Sequence, residues 1–231
     1  MAKAGTHLDF AGDWELSSIG RRLLEQGREF TTVRRIVDAA RKVFAHRGLA
    51  GARMDEIARV ARVNKALPYY YFRNKQELHR FVLETMIAQL CARAGSPSIL
   101  SMQPRDRVCA FVNTTFDFVQ RNPSYPSLIQ RAMMSRRRKL DWMVRTYHRP
   151  LHNRVAQTIK EGIARGDFRR VNPDHTVFTI FGMTMYYFST APLASQIWKR
   201  NVLRPENVAE RRRAVLDFLK HGLFLANAKT R

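Results

Sequence analysis

Three consecutive tyrosines, Tyr69 to Tyr71, stand among basic residues in a segment whose spacing predicts two short helices joined by a tight turn. Lys65 places a positive charge beside the N-terminus of the second helix, where free N–H groups already attract phosphate. Tyr69 and Tyr70 offer hydroxyl groups to a phosphate or a base edge and rings to thymine methyl groups. Lys75, at the start of the following helix, suits a second backbone phosphate. These residues indicate a helix-turn-helix whose second helix enters a DNA groove.

The charge of the whole chain agrees with a polyanionic partner. The 231 residues include 41 Lys and Arg and 19 Asp and Glu, which gives a formal net charge of +22. Such a surplus costs self-repulsion in the folded state, so it usually serves a partner of opposite charge. Nucleic acid is the first candidate, and an anionic membrane surface is the second.

Cysteine usage and hydropathy suggest where the protein works. The two cysteines, Cys91 and Cys109, are too few for a disulfide framework in a chain of this length, which fits a reducing compartment. No apolar run is long enough to span a bilayer, and the N-terminus lacks a secretory pattern. We therefore expect a soluble cytoplasmic protein with no membrane partner.

The elements that position the tyrosines are helical. Apolar residues recur at three- and four-residue spacing from about residue 31 onward, and no convincing strand pattern occurs. The predicted helix ends are Thr31 or Thr32 at the start of the first helix, Gly48 at its end, Asn64 as the cap of the recognition helix, and Asn74 with Glu77 as a capping box for the fourth helix. The patterns predict an all-α fold of about nine helices.

Three regions follow from this pattern. Residues 1–30 show no strong periodicity and nearly balanced charge, so we expect a flexible N-terminal arm. Residues 31–91 form the helix-turn-helix domain. Residues 92–231 form a larger helical domain, and the fourth helix lies at the boundary.

The spacing across the first four helices resembles that of a known family. The matching residues are Phe44–Gly48, Ile57 with Ala58 and Ala61, Val63–Lys65, Tyr69–Phe72 and Lys75–Leu78. Residues 31–91 resemble the DNA-binding domain of the TetR family of bacterial transcriptional regulators, and Glu161–Phe168 looks like a turn common in that family's second domain. The DNA contacts expected on this basis are Thr32, Arg53, Asn64, Lys65, Ala66, Leu67, Tyr69, Tyr70, Tyr71 and Lys75.

The chain departs from the family pattern at three positions. Arg62 stands in the turn where family members usually have Gly, so it must adopt a backbone shape that Gly adopts more readily. Leu67 stands where a small or hydroxyl residue is common. Pro68 replaces a core leucine and predicts a late start of the recognition helix. The departures affect which bases are read more than whether DNA is bound.

The resemblance implies properties for the second domain that spacing does not show. Family members bind a small-molecule effector there, dimerise through two C-terminal helices and release DNA when the effector binds. In this chain the two helices are expected at about 174–191 and 206–226, giving a homodimer on a palindromic operator with recognition helices ~35 Å apart. The candidate pocket residues, for which plain core packing is the alternative, are Phe111, Phe116, Phe118, Met133, Met134, Trp142, Met143, Tyr147, Phe181, Met185 and Tyr186.

The expected function is a sequence-specific transcriptional regulator, most simply a repressor released from its operator by a ligand, although activation is also open. An enzyme is one alternative, but we find no phosphate-cradling Gly loop, no paired catalytic carboxylates and no nucleophile–base motif, so we expect no catalytic residues, no cofactor and no metal. A protein that binds nucleic acid or membrane surfaces by charge alone is another alternative.

Overall fold

The computed structural model describes residues 17–134 and 141–226, and these divide into two compact units. The N-terminal unit holds residues 17–89 together with 127–133, and the C-terminal unit holds 90–126, 134 and 141–226. Within the described residues there are twelve α-helices and one π-helical turn. The all-α prediction is confirmed, and the count exceeds nine because the connections themselves form short helices.

The N-terminal unit is built around one long helix and the helix-turn-helix. Its helices are α1 (Ser18–Glu25), α2 (Phe30–Gly51), α3 (Met54–Ala61), α4 (Leu67–Tyr71) and residues 75–89 of α5 (Lys75–Ala94). The predicted apolar faces of α2 and α5 are buried, as Phe44 and Phe81 show. Burial of such faces is the main source of stability for short helices.

The first helix corrects the expectation of a flexible arm. Ser17 caps α1 by accepting a hydrogen bond from the backbone N–H of Gly20 at 3.0 Å, and its hydroxyl donates to Glu84 at 3.3 Å. Ile19 and Leu23 are buried. Residues 17–28 are therefore part of the folded unit, because α1 has an apolar stripe that α5 and its neighbours bury. Residues 1–16 lie outside the described residues.

The end of α2 differs slightly from its prediction. Gly48 has the expected positive φ of 66°, but its ψ of 176° is not helical, and the helix resumes to Gly51. The side chain of Arg131 from the 127–133 segment reaches this corner, donating to the carbonyl of His46 at 3.5 Å. This contact between Arg131 and His46 lies within the N-terminal unit, and it explains why residues 127–133 belong to that unit.

The C-terminal unit packs its longer helices around α7. Its elements are α6 (Pro97–Leu100), α7 (Pro104–Arg121), α8 (Tyr125–Met133, whose first two residues belong here), a π-turn (Val144–His148), α9 (Arg149–Ala164), α10 (Pro173–Ser189), α11 (Ala191–Ile197) and α12 (Pro205–Gly222). Edge-to-face ring pairs join α7 to α10, with centroids 5.3 Å apart for Phe111–Phe181 and 5.4 Å for Phe116–Phe188. None of the described helices has the length and apolar character to cross a bilayer.

Candidate nucleic-acid interface

The turn between α3 and α4 takes the shape that its sequence requires. Arg62 adopts a left-handed conformation with φ 55° and ψ 47°, as expected for a residue at a position where glycine is usual. A non-glycine residue pays about 1–2 kcal/mol for that conformation. The guanidinium of Arg35 on α2 donates to the Arg62 carbonyl at 2.6 Å, which ties the turn to the long helix and offsets part of this cost.

The recognition helix α4 starts late. Asn64 accepts a hydrogen bond from the N–H of Ala66 at 2.9 Å, and its carbonyl accepts from the N–H of Leu67 at 3.0 Å. The helix itself runs from Leu67 to Tyr71, so Ala66 and not Asn64 is its N-cap. The prediction for Asn64 was wrong by two residues, because Pro68 in the first turn delays the helix and Asn64 closes a preceding turn instead.

The two faces of α4 differ sharply in exposure. Pro68 and Tyr71 are buried, and Phe72 just after the helix is fully buried against Phe81, with ring centroids 5.6 Å apart. Tyr69 and Tyr70 are 55% and 60% exposed. Burial raises the pKa of Tyr71, the nearby charge of Glu29 adds to it, and the phenol therefore stays protonated at neutral pH. The helix presents two aromatic hydroxyls outward from a back face that is locked in the core.

Lys75 has an unexpected structural role. Its ammonium group donates to the carbonyl of Ala50 at 3.1 Å and to that of Ala52 at 2.8 Å. These carbonyls lie at the C-terminal end of α2, where unpaired acceptors and the helix dipole favour a cation. Contact between Lys75 and a DNA phosphate stays a prediction.

The start of α5 is capped nearly as expected. Asn74 accepts from the N–H of Glu77 at 2.8 Å, but the Glu77 carboxylate returns to the N–H of Arg73 at 2.7 Å instead of that of Asn74. Arg22 on α1 donates to the same carboxylate at 2.6 Å. Desolvation alone would raise the pKa of Glu77, but the Arg22 and Arg73 hydrogen bonds outweigh it and lower the pKa. Glu77 therefore joins α1, the recognition-helix loop and α5.

The remaining expected DNA contacts lie in two kinds of environment. Arg53, Lys65 and Ala66 are exposed, and Leu67 is half-buried. Thr32 is only 9% exposed, in the first turn of α2. The cap of α2 is Glu29, which makes no side-chain capping bond, so the prediction of Thr31 or Thr32 as the cap was wrong.

The candidate pocket residues do not form one lining. Phe111, Phe116, Phe118, Met143 and Tyr147 are buried; Trp142, Phe181 and Met185 are half-buried; Met134 and Tyr186 are mostly exposed; and Met133 is half exposed and belongs to the N-terminal unit. Of this set, Phe111 lines a gap of about 20 Å³ between α7, α9 and the end of α5, with Val108 and Val155 among its other walls. Their role in binding an effector stays a prediction.

Both thiols are shielded from ionisation. Burial raises the pKa of Cys91 to about 11, although Arg154 acts in the opposite direction. Burial also raises the pKa of Cys109, and Lys220 opposes that shift. Both side chains are therefore neutral thiols at physiological pH, which makes them poor nucleophiles.

Comparison with known families agrees with this geometry. Residues 23–80 match the family described as bacterial regulatory proteins of the tetR family, and residues 104–219 match the tetracyclin repressor-like C-terminal domain. The chain belongs to the TetR family, so the resemblance found in residues 31–91 is confirmed and extends into the second domain. The first match also begins within α1, in agreement with the folding of that helix into the N-terminal unit.

Individual curated relatives are similar to this chain over part of its length. The HTH-type transcriptional repressor SCO4008 of Streptomyces coelicolor is 51% identical over 59 residues, covering 26% of this chain and 31% of the relative. The HTH-type transcriptional regulator BetI of Agrobacterium fabrum is 33% identical over 88 residues, covering 38% and 43% of the two chains. Each match therefore spans less than half the length of the curated relative. The ketosteroid transcriptional regulator KstR2 of Mycobacterium tuberculosis shares the fold, with a TM-score of 0.69 and 18% identity over 83% of this chain and 95% of that one.

Proposed function

We propose that the protein is a sequence-specific DNA-binding transcriptional repressor that acts in the cytoplasm and is released from its operator by a small molecule. The observation that carries the proposal is the exposure of Tyr69 and Tyr70 on a helix whose opposite face is buried. A recognition helix needs this asymmetry, because its outer side chains touch bases and phosphates while its back holds it in place. Membership of a family of regulatory proteins supports the same conclusion.

We infer that the chain acts as a homodimer through α10 and α12. Phe178 and Tyr186 project from α10 two turns apart and are 72% and 65% exposed, and Phe218 on α12 is 62% exposed. Exposed large apolar side chains that lie together in one patch mark a surface that a partner covers. A two-fold pairing of these helices would carry one recognition helix per half-site of a palindromic operator.

The apolar interior of the C-terminal unit supports the proposal of a small-molecule effector. The paired rings of Phe111 and Phe181 lie between α7 and α10, and Phe111 also borders the small gap described above. An effector that fits there must separate packed apolar side chains, which favours a largely hydrophobic molecule. Such a molecule would bias the packing of α7 against its neighbours and thereby change affinity for DNA.

Selection from a random duplex library tests the DNA-binding proposal. The purified full chain should enrich a palindromic sequence with half-sites about one helical turn apart. A salt titration on the selected duplex and a scrambled duplex of equal composition should then show tighter binding to the selected duplex at every salt concentration. Equal affinity for both duplexes would favour binding by charge alone, and binding to anionic vesicles with none to DNA would favour the membrane-surface alternative.

Introducing a negative charge on the apolar face tests the dimer. Phe178→Glu and Phe218→Glu should each shift sedimentation toward a monomer and weaken binding to the selected duplex. Met102→Glu, which alters an exposed apolar side chain outside α10 and α12, serves as the matched control and should remain dimeric. A dimer that survives both substitutions on the apolar face would place the subunit contact elsewhere.

A further inference from the structure

We propose that Arg28 is a further DNA-binding residue, which contacts a backbone phosphate while the ring of Tyr70 holds its guanidinium in place. The inference rests on the proposed function and adds the segment from α1 to Arg28 to the DNA interface. It goes beyond the expected contacts, which all lie in α2, in α5 or between them.

The end of α1 places Arg28 by a specific backbone motif. Gly27 has a positive φ of 59°, its N–H donates to the Leu24 carbonyl at 2.9 Å, and the N–H of Arg28 donates to the Leu23 carbonyl at 3.2 Å. This pair of bonds is the Schellman arrangement, which reverses the chain at a glycine and sets the direction of the next residue. The direction in which Arg28 leaves the helix is therefore determined by local geometry.

The helix that ends in this motif is anchored to the recognition helix and to α5. Arg22 donates to Glu77 at 2.6 Å and to the carbonyl of Tyr71 at 3.4 Å. Leu23, the next residue of α1, is buried. Since Tyr71 is the last residue of α4, the Arg22 contact fixes α1 directly against the element that would enter the groove.

The guanidinium of Arg28 lies over the exposed tyrosine. Its central carbon is 4.1 Å from the centroid of the Tyr70 ring and 6.0 Å from that of Tyr71. Its Nε donates to the Gln26 side chain at 3.2 Å. Within residues 17–134 and 141–226, the two terminal nitrogens have no hydrogen-bond acceptor, and no carboxylate lies within ion-pair distance of Arg28.

This arrangement suits phosphate. A guanidinium that stacks on a ring keeps its in-plane N–H donors available, and those donors match the oxygens of a phosphate in pairs. The stack also holds the long side chain in one place before DNA arrives, which reduces the entropy lost on binding. Because Tyr70 is itself expected to touch DNA, Arg28 would meet the backbone beside the same contact.

Salt titrations of variants with the library-selected duplex test the proposal. Arg28→Ala should weaken binding by about tenfold per subunit and make the slope of log K against log salt shallower by about 0.9 per lost phosphate contact. Arg28→Lys keeps the charge and loses the planar fork, so it should retain the slope and recover only part of the affinity. Arg170→Ala removes an exposed arginine of the C-terminal unit, and the control should leave both quantities unchanged.

A double-mutant cycle separates a contact from mere support. If the Tyr70 ring holds Arg28, then Arg28→Ala should cost clearly less affinity in a Tyr70→Leu background than in the wild type. An unchanged slope for Arg28→Ala, with or without a lower melting temperature, would overturn the phosphate contact, and additive losses would overturn the role of the ring. Failure of the wild type itself to select a sequence would instead contradict the proposed function, so the two failures are distinct.

Discussion

Replacing Tyr70 by Ala separates a DNA-reading side chain from one that only supports the fold. Tyr70 is 60% exposed, so only about two fifths of the residue's surface is buried. Full burial of a large apolar side chain contributes about 1.5–3 kcal/mol, which leaves ~1 kcal/mol for the buried part. Loss of the stack with Arg28 adds about 0.5 kcal/mol to the destabilisation at this exposed site, and the better helix propensity of Ala offsets a similar amount. Tyr70→Ala should therefore lower the melting temperature by only about 2–4 °C.

The effect on DNA should be far larger than the effect on stability. A good contact to a base is worth about 1–3 kcal/mol of discrimination, and a dimer makes it twice. Tyr70→Ala should therefore weaken binding to the selected duplex by about 30-fold or more, measured by fluorescence anisotropy at fixed salt, while affinity for a scrambled duplex falls less.

Phe72→Ala provides the matched control two residues away. Its ring is fully buried, so the substitution should cost about 3–5 kcal/mol of stability and lower the melting temperature severely. A comparable collapse in Tyr70→Ala would mean that Tyr70 is a core residue. Unchanged affinity for the selected duplex would refute its role in DNA binding.

Three further substitutions test other parts of the structure. Lys75→Ala should weaken DNA binding evenly across sequences and make the slope of log K against log salt shallower by about one per phosphate. It should also cost about 1 kcal/mol of folding stability, because two hydrogen bonds to backbone carbonyls are lost. A changed sequence preference would contradict a phosphate role. Glu77→Gln should remove the stability that the lowered pKa of the Glu77 carboxyl provides at pH values above the unfolded pKa of about 4.5. Chemical denaturation curves of the wild type and the variant should therefore converge as pH falls through the folded pKa. A difference in stability that widens on acidification would contradict this sign. Gly162→Ala should destabilise the C-terminal unit in thermal melts, because the new methyl carbon would overlap the ring of Phe168. An unchanged melting temperature would show that the ring can move aside.

Much of the DNA-binding unit could be predicted because its signals are local. The apolar spacing of α2 and α5 needs only residues three and four apart, and both faces are buried as predicted. The left-handed Arg62 and the late start at Pro68 likewise depend on neighbours within a few positions. Such features are visible in a sequence because the groups that cause them are close along the chain.

Capping was less predictable, since several nearby polar groups compete for the same N–H donors. Asn64 satisfies a turn before α4 instead of the helix itself, and Glu77 bonds to Arg73 one residue earlier than expected. Each choice differs from its alternative by about 1 kcal/mol, so the surrounding packing decides it. Tertiary contacts such as that of Arg22 with Glu77 shift the balance.

By itself, the amino-acid sequence determined the all-α class, the position of the helix-turn-helix and the outward-facing tyrosine pair, because periodicity and turn chemistry act over a few residues. Tertiary structure alone decided that residues 17–28 fold onto the recognition helix and place Arg28 over Tyr70. It also decided that Lys75 closes the end of α2 and that Met133 belongs to the N-terminal unit. Contacts between residues 23 to 85 positions apart depend on how the chain returns to meet itself, which no local pattern encodes.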